Sequence, residues 1–154
     1  MKQFLRMIAI AGLLLAAGTV LAAENTPVGT WRTIDDATGK PTSIVQISDH
    51  NGELQGVVKQ ILDRTPEDIA RDGDPALCKE CDGARKNQPI EGMTILWGVK
   101  QDGDVWDGGN ILDPKNGKVY KVKLKTLDGG SKLDVHGYIG FSLLGRSQTW
   151  QRQD

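Results

Sequence analysis

Cysteine, histidine and aromatic residues are all scarce in this chain: two Cys, two His, and Phe, Trp and Tyr together at 5% of 154 residues. Each scarcity removes a class of chemistry. Zinc takes about four nitrogen or sulfur ligands, yet His50 and His136 stand far in sequence from Cys78 and Cys81. No metal or other cofactor is expected. The chain has no G-x-S-x-G, no H-E-x-x-H and no phosphate-cradling glycine loop. Without a recognisable nucleophile and base, no enzyme class is assigned. An excess of positive charge is also lacking, with 19 basic against 20 acidic residues. Nucleic acid and anionic membrane surfaces both call for a clustered positive field, so neither is an expected partner.

Long apolar runs are missing too, with one exception. Met7 to Val20 is rich in Leu, Ile and Ala, follows Lys2 and Arg6, and ends in the small residues of VLAAE, Val20 to Glu24. This is the pattern of a signal peptide, residues 1–23, cleaved after Ala22 or Ala23. An uncleaved anchor is the competing reading. The small residues at the end of the run, and the lack of Lys or Arg directly after it, favour cleavage. No Cys lies near the cleavage site to carry a lipid. The expectation is an exported protein, periplasmic or secreted, with no stable membrane anchor after cleavage. Residues 24–154 then carry 17 basic and 20 acidic side chains and have the size of a single domain.

Both cysteines fall in ALCKECDG, Ala76 to Gly83. In an oxidising compartment Cys78 and Cys81 are expected to form a disulfide. A structural clip, a metal site and a redox pair compete for them. The turn-rich setting favours the clip, and nothing suggests the strand-to-helix arrangement that lowers a redox thiol's pKa.

What the sequence has in plenty is glycine, 19 residues, placed between β-rich runs. Strands are expected over 28–35, 43–48, 53–62, 93–100, 105–112, 118–127, 132–140 and 146–152. Most are joined by Gly with Asn or Asp, residues that accept the positive φ of tight hairpin turns. Asn116-Gly117 is one such tip. Eight strands joined this way predict an all-β, antiparallel up-and-down barrel. Alternation supplies the faces. Tyr120, Val122 and Leu124 oppose Lys121, Lys123 and Lys125; Met93, Ile95, Trp97 and Val99 share a face; Leu133, Val135 and Ile139 oppose Asp134 and His136. His136 is therefore expected on the outer surface. The expected barrel interior, and candidate ligand wall, is Trp97, Trp106, Tyr120, Val122, Leu124, Leu133 and Val135. Gly108-Gly109 inside a strand pattern signals a bulge or bend. Asp107 and Asn110 fall on opposite faces of an ideal strand, which argues against a joint site.

One connection is long. Within 63–92, Thr65 reads as an N-cap, Pro66 as a first helical residue and Gly73 as the helix end. A loop of this length is a lid, a binding loop or a plug over one barrel end; the sequence leaves these open.

Gly29-x-Trp31 opening the first strand and Arg152 closing the last resemble the signature of lipocalin-type, or calycin, barrels. That resemblance implies an Arg packed over the first-strand Trp at the closed end. Gly29-Thr30-Trp31, Ile111-Leu112-Asp113-Pro114, Asn116-Gly117-Lys118 with Tyr120, Gly137-Tyr138-Ile139-Gly140, Gly145-Arg146, and Gln148-Thr149-Trp150 with Arg152 resemble the bacterial exported family known as domain of unknown function 2147. It implies a calycin-like barrel and brings no established substrate. Two functions follow as expectations. The first is an envelope protein binding one small hydrophobic, lipid-like molecule inside the barrel. The second is a filled barrel that binds another envelope protein through the 63–92 loop.

Overall fold

The computed structural model describes residues 24–154. The expected signal peptide lies outside the described residues. Eight strands run in chain order: β1 (Gly29–Ile34), β2 (Pro41–His50), β3 (Glu53–Ile61), β4 (Thr94–Asp102), β5 (Val105–Asp113), β6 (Lys118–Leu127), β7 (Lys132–Tyr138) and β8 (Gly145–Arg152). Each pairs antiparallel with the next, and β1 pairs with β8, so the sheet is a closed up-and-down barrel. Closure leaves no open sheet edge. One helix, α1 (Pro66–Asp72), lies in the long β3–β4 connection. Among the described residues no helix is long and apolar enough to cross a membrane.

The up-and-down order puts the N-terminus of β1, the C-terminus of β8 and the β2–β3, β4–β5 and β6–β7 turns at one end. This end is sealed. The Arg152 guanidinium lies 4.3 Å from the Trp31 ring centroid. It donates hydrogen bonds to the carbonyls of Gly130 (2.6 Å) and Val28 (2.9 Å), and the Trp31 indole donates to the Pro27 carbonyl at 2.7 Å. Gly29 has φ +141°, and a Cβ there would overlap Arg152 Nη1. Hence the glycine two residues before the tryptophan: the arginine occupies the space a side chain would take.

Inward side chains from every strand fill the barrel from this end upward. Trp31, Val45, Leu96, Val99, Val122, Leu124 and Leu133 are fully buried, and Ile47, Leu54, Val58, Val135, Trp106 and Trp150 nearly so. A side chain lining a water-sized void would retain accessible surface. The seven fully buried side chains do not, so the interior is packed at their level.

Two bulges reset the strand alternation. Gly98 in β4 has φ +73°, and the register between β5 and β6 shifts between Trp106 and Gly109. A Cβ on Gly109 would overlap Val99 and the Trp97 carbonyl, so β4 and β5 approach here as only glycine allows. One consequence corrects the expected interior. Leu96 points inward, since it pairs with Ile111 and touches the space beside Gly56, Val45 and Ile47. Trp97 next to it faces out, half-buried on the barrel wall opposite Asn110. The second consequence is that Asp107, paired with Lys100, and Asn110, paired with Trp97, share the outer face. The ideal-strand argument separating them fails because the bulge adds a residue between them.

Candidate functional site

The β1–β2, β3–β4, β5–β6 and β7–β8 connections gather at the other end of the barrel, and there the packing loosens. The last inward residues of several strands form a shallow cup. Thr33 of β1 pairs with Ser43 of β2, which pairs with Ile61 of β3. Ile111 of β5 pairs with Tyr120 of β6. Gly137 of β7 sits against Tyr120 and Ile111, and Gln148 of β8 pairs with Val135. Ser43, Ile61, Ile111, Tyr120 and Gln148 are half-buried, in contrast to the inward residues beneath them.

The cup has two chemically distinct walls. On one side the Thr33 hydroxyl lies 2.8 Å from that of Thr42 and 2.7 Å from that of Ser43. Beside them the Gln148 amide oxygen accepts from the Trp150 indole at 3.3 Å. On the other side stand Ile61, Ile111 and the Tyr120 ring. Tyr120's hydroxyl accepts from the Asn116 amide at 3.1 Å in the β5–β6 turn. Arg146, the rim residue of β8, donates from Nε to Asp36 Oδ2 at 2.7 Å, with a second contact from Nη2 to Oδ1. This fork holds the Asp36 carboxyl below its ordinary pKa, and Asp36 in turn raises that of Arg146.

The 63–92 excursion lies beside this cup, against the outer wall. Arg85 stacks 4.3 Å from the Trp97 ring centroid. Glu80's backbone abuts Gly117, where a Cβ would not fit. Cys78 and Cys81 are joined by a disulfide and are 0% and 1% exposed. Thiol–disulfide exchange requires an attacking thiolate to reach a sulfur, so burial disfavours the redox role. Leu112, on the outer face of β5, is buried under this segment. A cleft of about 570 Å³ opens between it and the β5–β6 hairpin, lined by Arg85, Leu112, Asn116, Val119 and Ile139. Helix α1 has the expected ends, with Thr65 and Asp68 forming a reciprocal capping box and Gly73 at the C-cap, and buries no residue.

Of the seven candidate interior residues, the structure brings Trp106, Val122, Leu124, Leu133 and Val135 together in the packed interior, places Tyr120 in the cup, and puts Trp97 on the outer wall. Thr33, Ser43, Ile61, Ile111 and Gln148 were not among the sequence candidates. His136 is on the outer face. Its Nδ1 lies 2.9 Å from Ser147 Oγ, and its Nε2 lies 2.6 Å from the carbonyl of Ser142, which can only accept. The ring therefore braces the β7–β8 loop. Asp107 lies in a second outer cleft with Lys100 and Gln101. Burial acts most strongly on its carboxyl, pushing the pKa up, but the Gly108 N–H, Lys123 and Tyr138 together bring it below the ordinary value.

No curated protein matches the sequence. Among solved structures, the fold is similar to protein HP1028 from the human pathogen Helicobacter pylori, which belongs to the lipocalin family. The TM-score is 0.68 at 20% identity, covering 86% of this chain and 84% of that one. At that identity the likeness speaks for the fold, an eight-stranded lipocalin-like barrel. The bacterial family described as "Uncharacterized protein conserved in bacteria (DUF2147)" matches residues 29–152, and the chain belongs to it.

Proposed function

We propose that this protein binds one small amphipathic molecule in the cup at the open end of the barrel. The observation that carries the reading is the gradient of packing along the barrel axis. Inward side chains are sealed from Trp31 up to Val122, then become accessible at Ser43, Ile61, Ile111, Tyr120 and Gln148. A surface with an apolar wall and a few convergent polar groups is the usual make-up of a small-molecule site. Its depth bounds the ligand. An alkyl or ring portion lies against Ile61, Ile111 and Tyr120 while a polar portion meets the hydroxyls and Gln148. The ligand does not thread to the barrel floor.

The test uses protein purified from cells expressing the full chain. Native mass spectrometry looks for a retained molecule, and dodecanol and dodecanoic acid are titrated while following tryptophan emission. Trp150 reports on the cup because its indole bonds Gln148. The expected result is a saturable change that Tyr120→Ala and Ile111→Asp weaken by about tenfold or more, the worth of a lost apolar contact. No retained molecule together with no saturable change sinks the reading.

A second reading is favoured by α1, which buries none of its residues and leaves Ile69 exposed. In it the 63–92 excursion binds another protein of the cell envelope. Replacing 66–72 with a Gly-Ser linker should leave the barrel folded and remove any partner recovered by pull-down; a partner retained by the linker variant rejects it.

A further inference from the structure

The polar wall of the cup is specific about what it can offer a ligand. Thr33, Thr42 and Ser43 bring three hydroxyls together. Thr33, only 6% exposed, stands in the middle, 2.8 Å from Thr42 Oγ1 and 2.7 Å from Ser43 Oγ. A hydroxyl has one proton to give and two lone pairs with which to receive. Two of the three protons close these two contacts, so at most one is left to donate into the cup. The Ser43 carbonyl, 3.4 Å from Thr33 Oγ1, competes for a proton as well. The oxygens of Thr42 and Ser43 keep lone pairs open, and both residues are half-buried, within reach of the cup.

Every side chain that makes the two walls is uncharged. The charges at the rim are engaged with one another or with their own turns. Asp36 takes the Arg146 fork, and Arg146 first, with the Gln148 amide after it, holds that carboxyl below its ordinary pKa. Asp35 accepts from the Ala37 and Thr38 N–H groups of its own loop. Asp113 accepts from the Lys115 N–H and stands across from Lys118 in the β5–β6 register. A carboxylate or an ammonium drawn into the cup would leave water with no counter-charge on the walls to meet it. A charge desolvated without a partner is costly.

We propose that the cup selects an uncharged hydroxyl head, that of a long-chain alcohol, and discriminates against fatty carboxylates and alkylammonium ions. The inference rests on the cup being the binding site and adds the class of molecule that it takes. A hydroxyl fits the wall in both directions. Its proton goes to an open lone pair of Thr42 or Ser43, and its oxygen receives the one proton that the three hydroxyls have left. A carboxylate has no proton to give, and an ammonium has no lone pair with which to receive. The alkyl chain lies against Ile61, Ile111 and the Tyr120 ring.

Titration of dodecanol, dodecanoate and dodecylammonium at neutral pH tests it, followed by tryptophan emission on protein purified from cells expressing the full chain. All three are kept below the concentrations at which they form micelles. They share one alkyl chain, so the differences among them read the head alone. Dodecanol is expected to bind about tenfold or more tighter than either ion, the scale of a buried charged group left unpaired. Ser43→Ala is expected to narrow that gap by about threefold or more, the worth of one hydrogen bond, by weakening the alcohol. Thermal melting verifies that this variant folds. Either ion binding as tightly as dodecanol overturns the selectivity and leaves the cup as a binding site. A gap unchanged in Ser43→Ala overturns the role given to the hydroxyls. No saturable binding of any of the three removes the cup itself, and the selectivity with it.

Discussion

Arg152 and Trp31, at opposite ends of the folded barrel's sequence, stack with 4.3 Å between the guanidinium carbon and the ring centroid. The same guanidinium donates to carbonyls of the β6–β7 turn and of the segment leading into β1. One planar, always-charged group thereby ties the last strand to the first. Arg152→Ala is expected to destabilise the fold by about 3 kcal/mol, combining a desolvated cation–π contact with buried charge-assisted hydrogen bonds. Arg152→Lys keeps the charge and loses the fork, and should recover less than half of that. Urea unfolding followed by tryptophan emission measures both, and an alanine variant within about 0.5 kcal/mol of the parent would show that the seal contributes little.

Gly108 and Gly109 are adjacent, yet they should respond differently to the same substitution. Nothing lies within 4 Å of a Cβ on Gly108, whose φ is +79°. Gly108→Ala therefore carries only the left-handed backbone cost, roughly 1 kcal/mol. Gly109 has no positive φ, but its Cβ would enter Val99 and the Trp97 carbonyl, both on β4. Gly109→Ala must push two paired strands apart in a packed wall, at about 2–4 kcal/mol. Equal losses in the two variants would contradict the close approach of β4 and β5.

The same two bulges decide how far the sequence could be read. The strands were legible because alternation and turn residues repeat along the chain, and all eight fall within a few residues of their expected bounds. Facing was legible where a strand is regular: in β6, Tyr120, Val122 and Leu124 point in and the lysines point out. It failed at Trp97 because Gly98 follows at once with a positive φ. It failed for Asp107 and Asn110 because parity was carried through a glycine pair already read as a bulge. The cup was nearly invisible for related reasons. Ile111 changes face across that bulge, Ile61 follows the shift in β3, and Thr33, Ser43 and Gln148 are polar residues that an apolar criterion passes over. The exposed 139–144 loop gives no sequence signal, since Phe and Leu are expected inside.

The capping box of α1 makes a pH prediction. The Thr65 backbone N–H, then the Thr65 hydroxyl, then Arg71 lower the Asp68 pKa to about 2. A carboxylate whose folded pKa is depressed adds stability above its unfolded pKa, about 3.9 for Asp, and loses it as pH falls through the folded value. Helix α1 should therefore fray between about pH 4 and pH 2. Because the helix buries no residue, the loss is local and the barrel is unaffected over the first part of that range. Thr65→Ala, worth about 1 kcal/mol of capping, should speed amide exchange in 66–72 at neutral pH. A side-chain carboxyl titration of Asp68 by NMR with an ordinary midpoint would contradict the capping geometry.

Leu124 and Tyr120 are two residues apart on the same face of β6, yet they belong to different regimes. Leu124 is fully buried against Trp106 and Val135 as cross-strand partners. Tyr120 is half-buried in the cup. Removing a packed leucine leaves a cavity, so Leu124→Ala should cost about 3–5 kcal/mol. It should leave amphiphile affinity unchanged at temperatures where the variant is folded, because the ligand does not reach that depth. Tyr120→Ala should cost about 1–2 kcal/mol, since much of its ring is already accessible, while weakening the amphiphile about tenfold. Measured together by urea unfolding and tryptophan titration, the pair separates a deep ligand chamber from a shallow one. If Leu124→Ala alters affinity and Tyr120→Ala does not, the molecule lodges in the barrel's lower half and the packed interior must open to admit it.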